Sequence, residues 1–116
     1  MGVAVTRPGR VPSRGEVYLV ELDPTRGSEI RKTRPCLIVS PDELNHQLRT
    51  AIVAPMTTAG FAYPFRPTCR FAGKVGRVAL DQLRTVDRQR LRKRLGSLSS
   101  GSLTIVFATL GEMFEF

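Results

Sequence analysis

Hydrophobic and polar positions change period along this chain, and the changes mark its elements. From Glu16 to Leu22 the chain reads EVYLVEL, with Val17, Leu19 and Glu21 alternating against Tyr18, Val20 and Leu22. Apolar residues on both sides of the pleat predict a strand covered on much of both faces. Asp23-Pro24-Thr25-Arg26-Gly27 follows with turn chemistry: Asp before Pro, then a Gly able to take positive φ. The loop then stays polar up to Thr33, longer than most connections in a compact domain, which points to a functional role. Arg34-Pro35 opens a second strand, CLIVS, with proline tolerated at a strand's first residues. Ser40-Pro41-Asp42-Glu43 predicts the cap and first turn of a short helix reaching about Asn45.

A third strand, TAIVAPM, ends at Thr57-Thr58-Ala59-Gly60. Pro64 and Pro67 place YPFRPTCRF at a sheet edge, and GRVALDQ and LRTVD read as short, closely joined strands. From Ser99 to Phe116 the period becomes helical, with Leu103, Val106, Phe107, Leu110 and Phe114 on one stripe and Ser99 or Ser100 as cap. Five or six short strands, one short helix and a terminal helix predict an α+β fold, a small SH3-like β-barrel or half-barrel with a C-terminal helix.

Composition adds charge to this picture. The 116 residues suit one domain over 14–116, preceded by a flexible tail over 1–13 rich in Pro and Gly. Lys and Arg outnumber Asp and Glu by 18 to 10, a net charge of +8, and 15 of the 18 are Arg. The planar guanidinium matches phosphate oxygens and stacks on bases, so an acidic partner such as nucleic acid is expected. GC-rich coding also inflates Arg, but Arg84, Arg88, Arg90, Arg92, Lys93 and Arg94 crowd one segment. Cys36 and Cys69 lack metal-ligand spacing and read as reduced thiols, Cys36 buried in its strand. No apolar run approaches the roughly 18 residues of a membrane span, and residues 1–14 lack the core of a secretory signal. The expected location is cytoplasmic.

The chemistry is bounded by what the chain lacks. P-loop, CxxC and GxSxG motifs are absent, and His46 is the single histidine, read as a solvent-facing or capping residue. Two-histidine ribonuclease chemistry is therefore closed to one chain, and neither a zinc site nor a two-metal nuclease site has enough ligands. What is left is phosphodiester chemistry in which RNA supplies its own 2′-hydroxyl nucleophile and the protein supplies electrostatic stabilisation. Arg34 and Thr57 end adjacent apolar segments and can converge for that task. The plainer readings stand beside this one: Arg34 in a surface ion pair with Glu29, and Thr57 bonding its own turn backbone. On residue types alone the plainer readings lead.

The blocks RGEVYLVELDPTRGSE, RPCLIVSPDELN, VAPMTT, YPF and VALDQLRTVD, from Arg14 to about Val86, together resemble the MazF/PemK/Kid family of toxin ribonucleases. The resemblance implies a two-fold dimer of small β-barrels that cleaves single-stranded RNA without metal or other cofactor, leaving 2′,3′-cyclic phosphate and 5′-hydroxyl ends. It places the catalytic arginine on Arg34, the catalytic threonine on Thr57 and the loop acid on Glu29. Kid-type members carry a histidine and an arginine where this chain has Ser28 and Ala79, so it resembles the MazF branch. Arg26, Ser28, Arg31, Lys32, Thr58, Asp81, Gln82 and Arg84 are the expected RNA contacts, Asp81 alternatively bracing the fold. The resemblance also implies a MazE-like antitoxin, and operator DNA bound through the toxin–antitoxin complex. Two other readings are a gyrase poison like CcdB, opposed by the absence of Trp and the Met113-Phe114-Glu115-Phe116 ending, and a non-catalytic nucleic-acid-binding barrel.

Overall fold

The computed structural model describes residues 11–58 and 60–116. Among the described residues seven strands and two α-helices follow in order: β1 Glu16–Glu21, β2 Thr33–Ile38, α1 Asp42–Gln47, β3 Thr50–Thr58, β4 Thr68–Phe71, β5 Lys74–Val78, β6 Arg84–Asp87, β7 Leu91–Ser97 and α2 Ser100–Met113. All pairings are antiparallel, in the order β4-β5-β3-β2-β1-β7, with β6 also on β3. The sheet curls into a half-barrel with α2 against one face, in agreement with the expected α+β class. Of the tail expected over 1–13, residues 1–10 lie outside the described residues, while Pro12 is buried.

β3 organises the sheet. One edge pairs β2 (Cys36↔Pro55 to Ile38↔Val53), and the other takes β6 along Thr50–Val53 and β5 along Met56–Thr58. Between β5 and β6 a 3-10 turn at Leu80–Gln82 interrupts the ladder, and the Ala79 N–H donates to the Pro55 carbonyl at 2.8 Å. A strand residue directs its N–H and C=O to the same side, so Pro55's missing donor falls in this interruption. That is why a proline fits inside a central strand.

Both faces of the sheet are covered. Val17, Leu37, Ala54, Met56, Val78 and Leu80 pack beneath α2 with Val106, and Leu103, Phe107, Leu110 and Met113 complete the contact. On the opposite face Tyr18, Val20, Leu22, Cys36, Ile38, Val53, Val86 and Leu91 form a second core. The two-faced pattern of EVYLVEL reflects these two layers. Ser99 caps α2 by accepting from the Ser102 N–H at 3.2 Å. Phe114, expected on the helix stripe, instead stands past the last turn and 69% exposed, with Met113 making the inward contact.

Two further differences concern the strands. YPFRPTCRF contributes only Thr68–Phe71 as strand, at the sheet edge as expected. β7 was not expected: its basic residues read as a charged run, but they decorate an edge strand paired to β1. Arg94 pairs with Glu16, Arg92 with Glu21, and Arg90 donates to the carbonyls of Glu21 and Asp23. Much of the basic cluster is thus occupied in holding β7 and the 3-10 turn Arg88–Arg90 to β1.

Candidate active site

Strand alternation decides what meets at the end of β2 and β3. Cys36 and Ile38 face the second core, so Arg34 points to that same face. Val53 faces it too, and so does Thr57 four residues on. The β2–β3 register runs Ile38↔Val53, Leu37↔Ala54, Cys36↔Pro55. Continued two residues further, it sets Arg34 opposite Thr57. On the other edge of β3, Thr57 is paired with Arg77. Arg84, paired with Val53, shares the face. Thr57 therefore has Arg77 as its cross-strand neighbour, with Arg34 and Arg84 on the same face.

The Cys36 thiol, two residues from Arg34 on the same face, is fully buried. Burial pushes its pKa up to about 12, outweighing Arg34 and Arg84, which act to lower it. Burial pushes Cys69 upward as well, as expected for thiols that serve as small apolar groups.

A cavity of about 430 Å³ opens along this edge. Arg34, Thr57, Thr58 and Lys74 contribute its polar lining, and Pro35, Met56, Cys69, Phe71, Val75 and Leu95 most of its apolar wall. Gly76 belongs to the same wall, and its identity is sterically required: a Cβ there would sit 2.5 Å from the Thr57 carbonyl oxygen. The backbone of β5 holds the Thr57 backbone by this close approach.

The β1–β2 loop carries most of the remaining expected residues. Its neck is closed by the Leu22 N–H to Lys32 carbonyl bond at 3.0 Å, and Lys32 takes φ 71°, uncommon for a residue with a Cβ. The Glu29 carboxylate accepts from the Arg26 N–H at 2.6 Å, capping the loop's own turn. Arg31 donates to the Gly27 carbonyl at 3.2 Å, and Arg34 Nε donates to the Arg31 carbonyl at 3.1 Å. The expected Arg34–Glu29 ion pair does not form. Arg26, Ser28, Glu29, Arg31 and Lys32 are exposed and none lines the cavity, so the loop stands beside the rim and not within it.

Asp81 and Gln82 brace this arrangement from the 3-10 turn. Asp81 binds Arg66 through both oxygens, at 2.7 and 2.8 Å. The Arg66 hydrogen bond holds the Asp81 carboxyl below the usual range. Gln82 Oε1 accepts from the Ile30 N–H at 3.0 Å, tying the loop across to the turn. Arg66, Gly76 and Arg77 were not singled out in the sequence. Counting alternate positions back from the Asp-Gln pair selects Arg77, but only once β5 is known to pair with β3. His46 is exposed in the last turn of α1, as its isolation implied.

A family model described as PemK-like, MazF-like toxin of type II toxin–antitoxin system matches residues 13–114. The chain belongs to that family. Endoribonuclease PemK of Escherichia coli is 39% identical over 109 residues, covering 86% of this chain and 77% of that protein. The crystal structure of MazF from Deinococcus radiodurans superposes with a TM-score of 0.78 at 28% identity, covering 89% of this chain and 96% of that one. The MazE–MazF structure (Form-II) from the same organism matches with a TM-score of 0.73 at 25% identity, covering 91% and 97%. Endoribonuclease is the enzymatic class of this toxin, the activity named for the PemK relative.

Proposed function

We propose that this toxin cleaves single-stranded RNA by attack of a 2′-hydroxyl on the adjacent phosphorus, with Arg34 and Thr57 stabilising the transition state. The observation that supports this reading is that Arg34, near the start of β2, and Thr57, near the end of β3, line the same cavity. In the reaction the 2′-oxygen forms a bond to phosphorus, the 5′-oxygen departs, and a 2′,3′-cyclic phosphate remains. Charge accumulates on the non-bridging oxygens of the phosphorane. Arg34 supplies a permanent cation to them and Thr57 a hydroxyl donor, the electrostatic contribution that is usually largest. Arg77 and Arg84 add cations on the same face.

The positive charge this chain brings to the cavity and its rim comes from Arg34 and Lys74 in the lining and from Arg77 and Arg84 on the neighbouring strands. The 2′-hydroxyl must lose a proton and the 5′-oxygen gain one. An arginine is not readily deprotonated, so Arg34 is assigned to charge, and Glu29, the acid of the neighbouring loop, is the candidate for proton transfer. Arg26, Ser28, Arg31, Lys32, Thr58, Gln82 and Arg84 contact the RNA. Asp81 serves by holding Arg66 and with it the loop that follows β3.

The proposed assembly is a homodimer in the cytoplasm, which enlarges a modest core and spreads the basic surface over two copies. A MazE-like antitoxin, the kind of partner present in the MazE–MazF structure, covers Arg34 with an acidic segment that folds on binding. The pair binds operator DNA, this chain adding backbone attraction. Among the described residues no helix is long and apolar enough to cross a membrane. Mapping the ends produced from a mixed RNA tests the mechanism. Cleavage that persists in EDTA and leaves cyclic-phosphate and 5′-hydroxyl ends supports it; strict magnesium dependence or 5′-phosphate ends would overturn it.

A further inference from the structure

The segment between β3 and β4 exposes three aromatic rings within five residues. Phe61 is 80% exposed, Tyr63 54% and Phe65 40%, and none belongs to either core. Rings that do no packing work and stand in water mark a surface with a partner. The segment is also built. Phe61 and Tyr63 meet edge to face with centroids 6.1 Å apart. The Tyr63 N–H donates to the Phe61 carbonyl at 3.1 Å, and the Arg66 N–H to the Tyr63 carbonyl at 3.3 Å. The Arg66 guanidinium lies 5.0 Å from the Tyr63 ring centroid while its Nε and Nη2 donate to Asp81.

The rings are also tied to the site. Phe61 follows Thr58 by three residues, at most roughly 10 Å of chain. The Arg66 carbonyl accepts from Arg77, the residue paired with Thr57. A strand of RNA whose phosphate rests on Arg34 and Thr57 therefore brings an adjacent base within reach of Phe61 and Tyr63. The cations beside the rings decide for nucleic acid over an apolar protein segment: Arg66 and Arg77 accompany the aromatics, and the whole chain carries +8. Stacked bases need an aromatic face and phosphates need cations, and this loop presents both.

We propose that Phe61 and Tyr63 form a base-stacking subsite for an unpaired nucleotide flanking the scissile phosphate. This rests on the ribonuclease reading above. The test uses an RNA oligonucleotide with a 2′-deoxy residue at the mapped cleavage position, so that binding is read without turnover. Phe61→Leu and Tyr63→Leu should each lower affinity about tenfold, because one base–aromatic stack contributes on that order. A single abasic substitution at one flanking position should cost wild type a similar factor and cost the variant nothing more, since both changes remove the same contact. Both residues are exposed, so the variants should unfold at the wild-type temperature, and the abasic probe leaves the protein untouched in any case. Variants that bind intact RNA as wild type does, or abasic and ring losses that multiply, overturn the proposal. So does a loss confined to antitoxin binding. Failure of the wild-type protein to cut any RNA is a separate result, one that removes the ribonuclease reading itself.

Discussion

Carried two residues past Cys36↔Pro55, where the β2–β3 ladder ends, the register brings Arg34 level with Thr57, and both residues line one cavity. Both sit at strand ends where the apolar ladder gives way to an open rim, so their backbones are held by the sheet while their side chains meet solvent. A flexible loop would not hold a cation and a hydroxyl at a fixed separation. Strand ends anchored in one sheet do.

Replacing either residue should therefore lower turnover more than RNA affinity. Arg34→Ala is expected to reduce the single-turnover cleavage rate at least about a hundredfold, and Thr57→Ala at least tenfold, by the magnitude of losing a transition-state donor. Single-turnover rates and binding to an uncleavable RNA, measured side by side, make the comparison. An Arg34→Ala protein retaining wild-type turnover would end its assignment.

Gly76 should be intolerant of even one added carbon. Its Cβ would meet the Thr57 carbonyl oxygen at 2.5 Å, a backbone atom that cannot swing aside. Gly76→Ala is expected to cost about 1–3 kcal/mol of stability through overpacking and to displace Thr57 as β5 yields. Urea unfolding reads the first effect and the cleavage rate the second. Unchanged values of both would show that β5 does not position Thr57.

Cys36 makes alkaline stability diagnostic. Its folded pKa, about 12, lies above the ordinary thiol value of about 8.5. A group raised on folding contributes stability that is complete below its unfolded pKa and is lost as pH rises toward the folded one. Between about pH 8.5 and 12 the thiol should steepen the fall of unfolding free energy by about 1.4 kcal/mol per pH unit. Cys36→Ala should be less stable at neutral pH yet show a shallower alkaline slope. Thiol reagents at pH 8 should label Cys36 only as fast as the protein opens.

The Arg66–Asp81 pair predicts the opposite sign at low pH. The Asp81 carboxyl is held below its usual value chiefly by its hydrogen bond to Arg66, so its contribution is present above about pH 4 and lost as pH falls through the lowered value. Asp81 is 42% exposed, and solvent screening keeps the stability effect small. The larger consequence is local. Asp81→Asn should leave the unfolding temperature nearly unchanged while loosening Arg66 and Tyr63, read as faster amide exchange over residues 60–67. Exchange identical to wild type would remove Asp81 from the bracing role.

Much of this was legible in one dimension because it is decided locally. The alternation of EVYLVEL, the positive φ of Gly27, the Ser99 cap and the helical stripe through Val106 depend on neighbours within a few residues. So does the sequence of motif blocks that identifies the family. Tertiary structure decided what depends on pairing between distant segments. β7 looked like a basic run because its counter-charges, Glu16 and Glu21, lie more than seventy residues earlier and become neighbours only through the β1–β7 ladder. Arg77 became a partner of Thr57, and Gly76 a steric necessity, only once β5 was laid against β3. Glu29, near Arg34 in sequence, caps its own loop instead, since a carboxylate binds the donor its local turn presents unless the fold offers a better one. Periodicity fixes which face a residue takes, whereas register fixes whom it meets there, and register is set by the packing of the whole sheet.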